Sequence, residues 1–194
     1  HIEHLKIINR SGEHLLALIN DVLEMSKIEA GSLTLNVSSF DLYQTLFSIE
    51  DMLQLRALEK GLELVFKRAP EVPQYIEADE SKLRQVLINL ISNGIKFTQS
   101  GTVSVQVKVG EGERMTGGDD VNFSSSPTPS LWLVFEVEDT GPGIAAAELD
   151  FLFDPFVQTE TGRKSMQGTG LGLPISRQFV RLMGGDIQVY SQLG

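Results

Sequence analysis

None of the 194 residues is a cysteine, which removes disulfides, thiolate catalysis and cysteine–zinc sites and fits a reducing compartment. Basic residues are scarce as well. The 16 Lys and Arg stand against 26 Asp and Glu, a formal charge of −10, which argues against a general binder of nucleic acid or anionic membrane, since both need a basic face. No apolar run approaches the roughly 18 residues a membrane helix requires, and no signal-peptide pattern opens the chain. There is no proline before Pro70, no methionine at position 1 and no internal repeat. A chain that opens inside a helical pattern reads as an excised piece of a longer protein. What remains is ordinary for a globular protein, 41% hydrophobic and 22% charged, with enough length for one medium domain and an appendage.

Leu5, Ile8, Gly12, Leu15, Ile19, Val22 and Ser26 alternate three- and four-residue steps, the spacing of a two-helix seam. Leu16, Leu18, Leu23 and Met25 widen that face beyond one partner, as in a bundle, and Gly31 is placed to cap the helix. An amphipathic core helix would show much the same pattern. Alternation predicts a strand over residues 33 to 40, and Asp41 with Gln44 forms a capping box for a helix carrying Leu42, Leu46, Ile49 and Leu53, ended by Gly61. Short strands are expected at Leu62 to Lys67 and Tyr75 to Glu77, then a helix capped by Asp79 that runs to about Phe97. Val103 to Val109 and Leu131 to Val137 read as strands of an antiparallel hairpin, joined by a loop rich in Gly, Ser, Asp and Pro at 110 to 130. Residues 141 to 167 read mostly as loop, 170 to 183 as a helix and Asp186 to Tyr190 as a strand. This irregular order favours an α+β sandwich with one mixed sheet and helices on one face.

Four segments carry chemistry. In the helix ending near Phe97, Leu83, Val86, Leu87, Leu90, Gly94 and Phe97 face one way, while Asn89, Asn93 and Lys96 share another face. A solvated surface would be built more cheaply from Glu, Lys or Ala, because Asn is a poor interior helix former and Gly94 costs about 1 kcal/mol relative to Ala. An Asn oxygen can ligate Mg²⁺, and a Lys one turn on supplies charge for phosphates. The second segment, Glu136-Val-Glu-Asp-Thr-Gly-Pro-Gly-Ile-Ala, formally matches a dinucleotide fingerprint. The acidic residue that fingerprint demands would be Glu160, which sits in a polar loop and not at a second strand, so that reading fails. Asp139 could equally be a turn residue. The third segment, Phe153-Asp-Pro-Phe, is by itself simply core. The fourth, Gly168-Thr-Gly-Leu-Gly, opens a helix without the Lys-Ser/Thr pair of a Walker A loop, yet backbone amides at such a start can bind an anion.

In this order the segments Asn89-Leu-Ile-Ser-Asn-Gly-Ile-Lys, Asp139-Thr-Gly-Pro-Gly, Phe153-Asp-Pro-Phe and Gly168-Thr-Gly-Leu-Gly resemble the N, G1, F and G2 boxes of sensor histidine kinases. The ATP-binding domain of those kinases is shared with gyrase, HSP90 and MutL. The string from Ser11 to Gly31 resembles the second helix of the kinase dimerisation hairpin running into its linker. The resemblance covers essentially the whole chain and implies a two-layer α/β sandwich, the Bergerat-type ATP-binding fold, preceded by one long dimerisation helix. Residues 1–31 would be that helix and linker, and residues 32–194 the catalytic domain with its last strand cut short.

The same resemblance implies the roles. Asn93 would be the metal-binding residue for Mg²⁺, and Lys96 would meet the phosphates of ATP. Asn89 would match the position of a catalytic Glu in gyrase-type ATPases. An amide there cannot act as a general base, which argues against fast hydrolysis and for a γ-phosphate saved for transfer. The family usually carries Ala where this chain has Gly94. Asp139 would accept the adenine amino group, with Gly141, Gly143 and Ile144 letting backbone approach the base. Phe156 would pack under a lid at residues 159 to 167 whose Arg163 and Lys164 reach the phosphates. Gly168, Thr169, Gly170, Leu171 and Gly172 would cradle those phosphates. The implied activity is transfer from Mg-ATP to a histidine and on to the receiver domain of a response regulator. The implied setting is a cytoplasmic homodimer joined through the bundle helix, with membrane tethering of the parent left open. None of His1, His4 and His14 is followed by the acidic residue and nearby Pro that mark the acceptor, so none is expected to be phosphorylated. An ATP-binding regulatory or scaffold module without transfer activity is the alternative.

Overall fold

The computed structural model describes residues 2–110, 132–158, 162 and 168–193. Among the described residues ten elements follow one another: α1 (Ile2–Glu29), β1 (Ser38–Asp41), α2 (Leu42–Glu59), β2 (Leu62–Arg68), β3 (Tyr75–Ala78), α3 (Glu80–Phe97), β4 (Gly101–Gly110), β5 (Trp132–Asp139), α4 (Ala146–Leu149) and α5 (Gly172–Leu182). They form two compact units. One comprises His1–Ser38, Glu77–Leu90 and Pro142–Gly194, the other Ser39–Ile76 and Ile91–Gly141. The chain of α3 contributes residues to both.

In the second unit, β2 runs parallel to β4 (Leu62 opposite Gly101), and β4 pairs antiparallel with β5 (Val103 opposite Asp139), so the sheet is mixed. Val103, Val105 and Val107 fill the buried face of β4, as period-two alternation requires. Leu42, Leu46, Ile49, Leu53 and Ala57 bury one face of α2, which packs against β2. Asp41 caps α2 by accepting the Gln44 N–H at 3.1 Å, the aspartate half of the expected capping box. Gly61, at φ 69°, supplies the left-handed turn that ends the helix. The buried face of α3 includes Ile91 and Ile95 in addition to Leu83, Val86 and Leu87; Leu90 and Phe97, expected in the core, are only half-buried.

The first unit is organised around Val86, Leu171, Ile175 and Phe179, against which Met25, Ile28 and Leu33 pack. The end of α1 is a full Schellman cap: the Gly31 N–H bonds Ile28 O and the Ser32 N–H bonds Lys27 O, each at 3.0 Å. Asp79 caps α3 through the Lys82 N–H at 3.1 Å while also accepting from the Asn36 N–H at 2.8 Å and the Lys82 ammonium at 3.0 Å. Burial pushes its carboxyl up, but those three donors outweigh it and hold the group below the usual carboxylate range.

Several expectations need correction. Strands β1 and β3 form a sheet of their own, so the described residues form two sheets and not one. The strand expected over 33 to 40 is confined to Ser38–Asp41, because the Asn36 N–H is committed to a carboxylate and Leu33 is drawn into the core of the first unit. No strand forms over Asp186 to Tyr190. There the Asp186 carboxylate takes the Ile187 N–H at 2.9 Å, and Tyr190 is 86% exposed. Residues 141 to 158 include the short helix α4, and α5 is shorter at both ends than the expected 170 to 183. Most of the 110 to 130 loop lies outside the described residues.

Candidate functional site

The expected site residues fall in both units, and each group has its own geometry. In the second unit Asp139 ends β5. Its Oδ1 accepts two bonds, from the Gly141 N–H at 2.9 Å and from the buried Thr98 hydroxyl at 3.3 Å. A Cβ on Gly141 would come 2.6 Å from that oxygen, so any larger residue would have to displace the carboxylate. Behind Asp139 lies Gly94 of α3, where a Cβ would meet Val103 Cγ1 at 3.1 Å and Asp139 Cβ at 3.5 Å. The aspartate is thus held through one oxygen, and no hydrogen bond to Oδ2 forms among the described residues. Asn93 and Lys96 are half-buried on α3 and not part of a fully solvated face. Burial pushes the Lys96 ammonium pKa down, and its Nζ lies 4.5 Å from the Phe97 ring centroid.

In the first unit several expected contacts are with the chain itself. Asn89 Nδ2 donates to Ser176 Oγ at 2.9 Å, and a Cβ on Gly172 would come 2.5 Å from Asn89 Oδ1. Asn89 therefore locks α3 to the start of α5. The Gly143 backbone, at φ 75°, approaches the Gln192 carbonyl too closely for any side chain, and the Ile144 N–H donates to Ser191 Oγ at 2.8 Å. Thr169 donates its hydroxyl to Asp21 Oδ2 and accepts from the Leu171 N–H, each at 3.0 Å, so that hydroxyl is already engaged. Leu171, counted with the phosphate cradle, is fully buried in the core. Phe156 is 67% exposed, and the lid expected above it lies outside the described residues apart from Gly162. Phe156 holds a left-handed backbone at φ 65°, with its N–H bonded to Gly170 O at 3.1 Å. Gly170 must be glycine, since a Cβ would meet Phe156 C at 2.8 Å. Gly168, at φ 126°, offers its carbonyl to Gln158 Nε2 at 2.8 Å. Arg163 and Lys164 lie outside the described residues.

Sequence reasoning missed Thr98, Ser176, Ser191 and Asp21. Each is a common polar residue whose partner is 41 to 148 positions away, a relation no local pattern encodes. The donor set suits Mg²⁺ held mainly by phosphate oxygens and water. Among the described residues no group of three or more His, Cys, Asp or Glu could hold a metal, and Asn93 offers one hard oxygen. No helix among the described residues is long and apolar enough to cross a membrane.

Residues 78–194 match the family described as histidine kinase-, DNA gyrase B- and HSP90-like ATPase. The chain is 38% identical over 193 residues to hybrid signal transduction histidine kinase B of Dictyostelium discoideum, covering 99% of this chain and 9% of that protein. It is 40% identical over 198 residues to the circadian input-output histidine kinase CikA of Synechococcus elongatus, with 99% and 23% covered. Full-length ShkA, solved in complex with AMPPNP, superposes with a TM-score of 0.78 at 32% identity, with 99% of this chain and 36% of that one covered. The chain thus spans less than a quarter of either curated relative. Taken with the pinned aspartate and the glycine-rich turns, these matches show that the chain belongs to the histidine kinase-, gyrase- and HSP90-like ATPase family, within which it is similar to the ATP-binding portion of sensor histidine kinases.

Proposed function

We propose that this chain binds Mg-ATP through Asn93, Lys96, Asp139 and the glycine-rich segments, and that in its parent protein it delivers the γ-phosphate to a histidine. The receiver domain of a response regulator is the onward acceptor. The observation that carries the reading is Asp139, whose Oδ1 is satisfied by Thr98 and Gly141. Its Oδ2 then accepts from the amino group of adenine, which guanine cannot offer at that position. The AMPPNP complex of ShkA supports a nucleotide here. Lys96 supplies positive charge to the phosphates, and Asn93 supplies one oxygen to Mg²⁺, which neutralises phosphate charge when bound. The protein positions and neutralises; it supplies no covalent nucleophile and no base.

Residues 1–31 form the dimerisation helix and linker in this reading, and 32–194 the catalytic domain. Exposed Leu15, Leu16, Ile19, Val22 and Leu23 on α1 support a homodimer through a bundle. In this reading the domain works in the cytoplasm, where ATP is supplied. Calorimetric titration tests the reading. ATP should bind, GTP should bind much more weakly, and Asp139→Ala should cost about 1.5–3 kcal/mol in ATP binding, as charged hydrogen bonds do. Asn93→Ala should weaken Mg-ATP far more than adenosine. Equal affinity of the unmutated chain for ATP and GTP would remove the basis of the assignment.

A further inference from the structure

α3 ends with carbonyls that have no partner inside the helix, as every helix does. Here one side chain takes two of them together with the carbonyl of Thr98 just beyond the helix. Lys60, at the end of α2, donates from Nζ to Ile95 O at 2.6 Å, Lys96 O at 2.8 Å and Thr98 O at 3.0 Å. An ammonium has three donors, and all three are used. A positive charge at a helix C-terminus is also favoured by the helix dipole. The clamp fixes the backbone of Thr98, whose hydroxyl in turn donates to Asp139 Oδ1. All of these residues lie within the second unit.

We propose that Lys60 is a positioning residue for adenine recognition: it locks the α3 terminus so that Thr98 holds the Asp139 carboxylate in the orientation that accepts from the base. The proposal rests on the assignment of Asp139 to adenine. Lys60 touches no nucleotide. Its effect is carried by the Thr98 carbonyl, the Thr98 hydroxyl and Asp139 Oδ1 in turn. Removing the ammonium frees three carbonyls and lets Thr98 drift from a bond that is already long. The carboxylate would then lose orientation without losing charge.

The test compares affinity for ATP with affinity for purine riboside triphosphate, the same nucleotide lacking the exocyclic amine, well below the unfolding temperature. The unmutated chain should prefer ATP, and Asp139→Ala should abolish the preference. Lys60→Met, which keeps the aliphatic stem, should lower the preference by roughly five- to tenfold, the scale of one hydrogen bond. Lys60→Arg should restore most of it. A purely structural role would lower the folded fraction and weaken both nucleotides alike, so an unchanged preference in folded Lys60→Met overturns the proposal. Should that variant not fold, Thr98→Val cuts the same relay downstream of the clamp, and a preference retained there overturns it equally. Failure of the underlying assignment reads differently: the unmutated chain itself would show no preference.

Discussion

Thr169 donates its hydroxyl to Asp21 Oδ2 at 3.0 Å, tying the glycine-rich turn ahead of α5 to α1. Burial raises the Asp21 carboxyl above its ordinary range, and the bond from Thr169 offsets only part of that rise. The folded chain therefore holds this proton more tightly than the unfolded chain. For this one group, stability is gained as pH falls through the raised value and lost as pH rises through it. Asp21→Asn keeps an acceptor for Thr169 and removes the titration. The difference in urea midpoint between the two proteins should shrink steadily from neutral pH toward about 4, the ordinary aspartate value. Parallel midpoints across that range would show that burial of Asp21 has no energetic consequence.

Asp79 titrates in the opposite sense. Its carboxyl is held below the usual range by the Asn36 N–H and both Lys82 donors, so its contribution is present above the unfolded pKa and lost as pH falls through the folded one. Asp79→Ala also removes the cap of α3 and leaves the Asn36 N–H without its acceptor. The expected loss is about 1–2 kcal/mol at neutral pH, measured by urea unfolding. The variant should also be less sensitive to acid than the unmutated chain. A loss below about 0.5 kcal/mol would mean that water replaces the cap at little cost.

Gly94 lies within α3, where it is buried. Helix propensity alone would give Gly94→Ala about 1 kcal/mol of added stability. A Cβ there, however, meets Val103 Cγ1 at 3.1 Å, and Val103 is wholly buried in β4. Most of the gain should be lost to that contact, leaving a change under about 0.5 kcal/mol. The new methyl would reach Asp139 Cβ only at an ordinary contact distance of 3.5 Å, so ATP affinity should be unchanged. Recovery of the full propensity gain would show that Val103 yields freely.

Transfer can be separated from binding. His1, His4 and His14 lack the following acidic residue and the nearby Pro of the family's acceptor. Incubating the chain with γ-labelled ATP and Mg²⁺ should therefore leave no acid-labile label, even where calorimetry shows the nucleotide bound. Label on any of the three would overturn the expectation that none of them is an acceptor.

Most elements could be read from periodicity. The alternating valines of β4, the apolar faces of α2 and α3, and the caps at Asp41, Asp79 and Gly31 each rest on residues a few positions apart, so local order encodes them. The misreadings share one cause. Residues 33 to 37 and 186 to 190 alternate like strands, but a strand exists only if its backbone finds a partner. Asn36 found the Asp79 carboxylate, and Asp186 turned to Arg177, whose paired bonds at 2.8 and 3.0 Å hold its carboxyl far below the ordinary range.

The sequence by itself pointed to the family, through the order of the four boxes, and singled out Asp139 and Asn93 as candidates, because residue type and spacing limit which chemistry a segment can support. Only tertiary structure decided that Asn89 is bonded to Ser176, that Leu171 is core, that Thr169 is engaged by Asp21 and that Lys60 closes α3. Each of these depends on which distant groups folding brings within about 3 Å, the range over which a hydrogen bond acts.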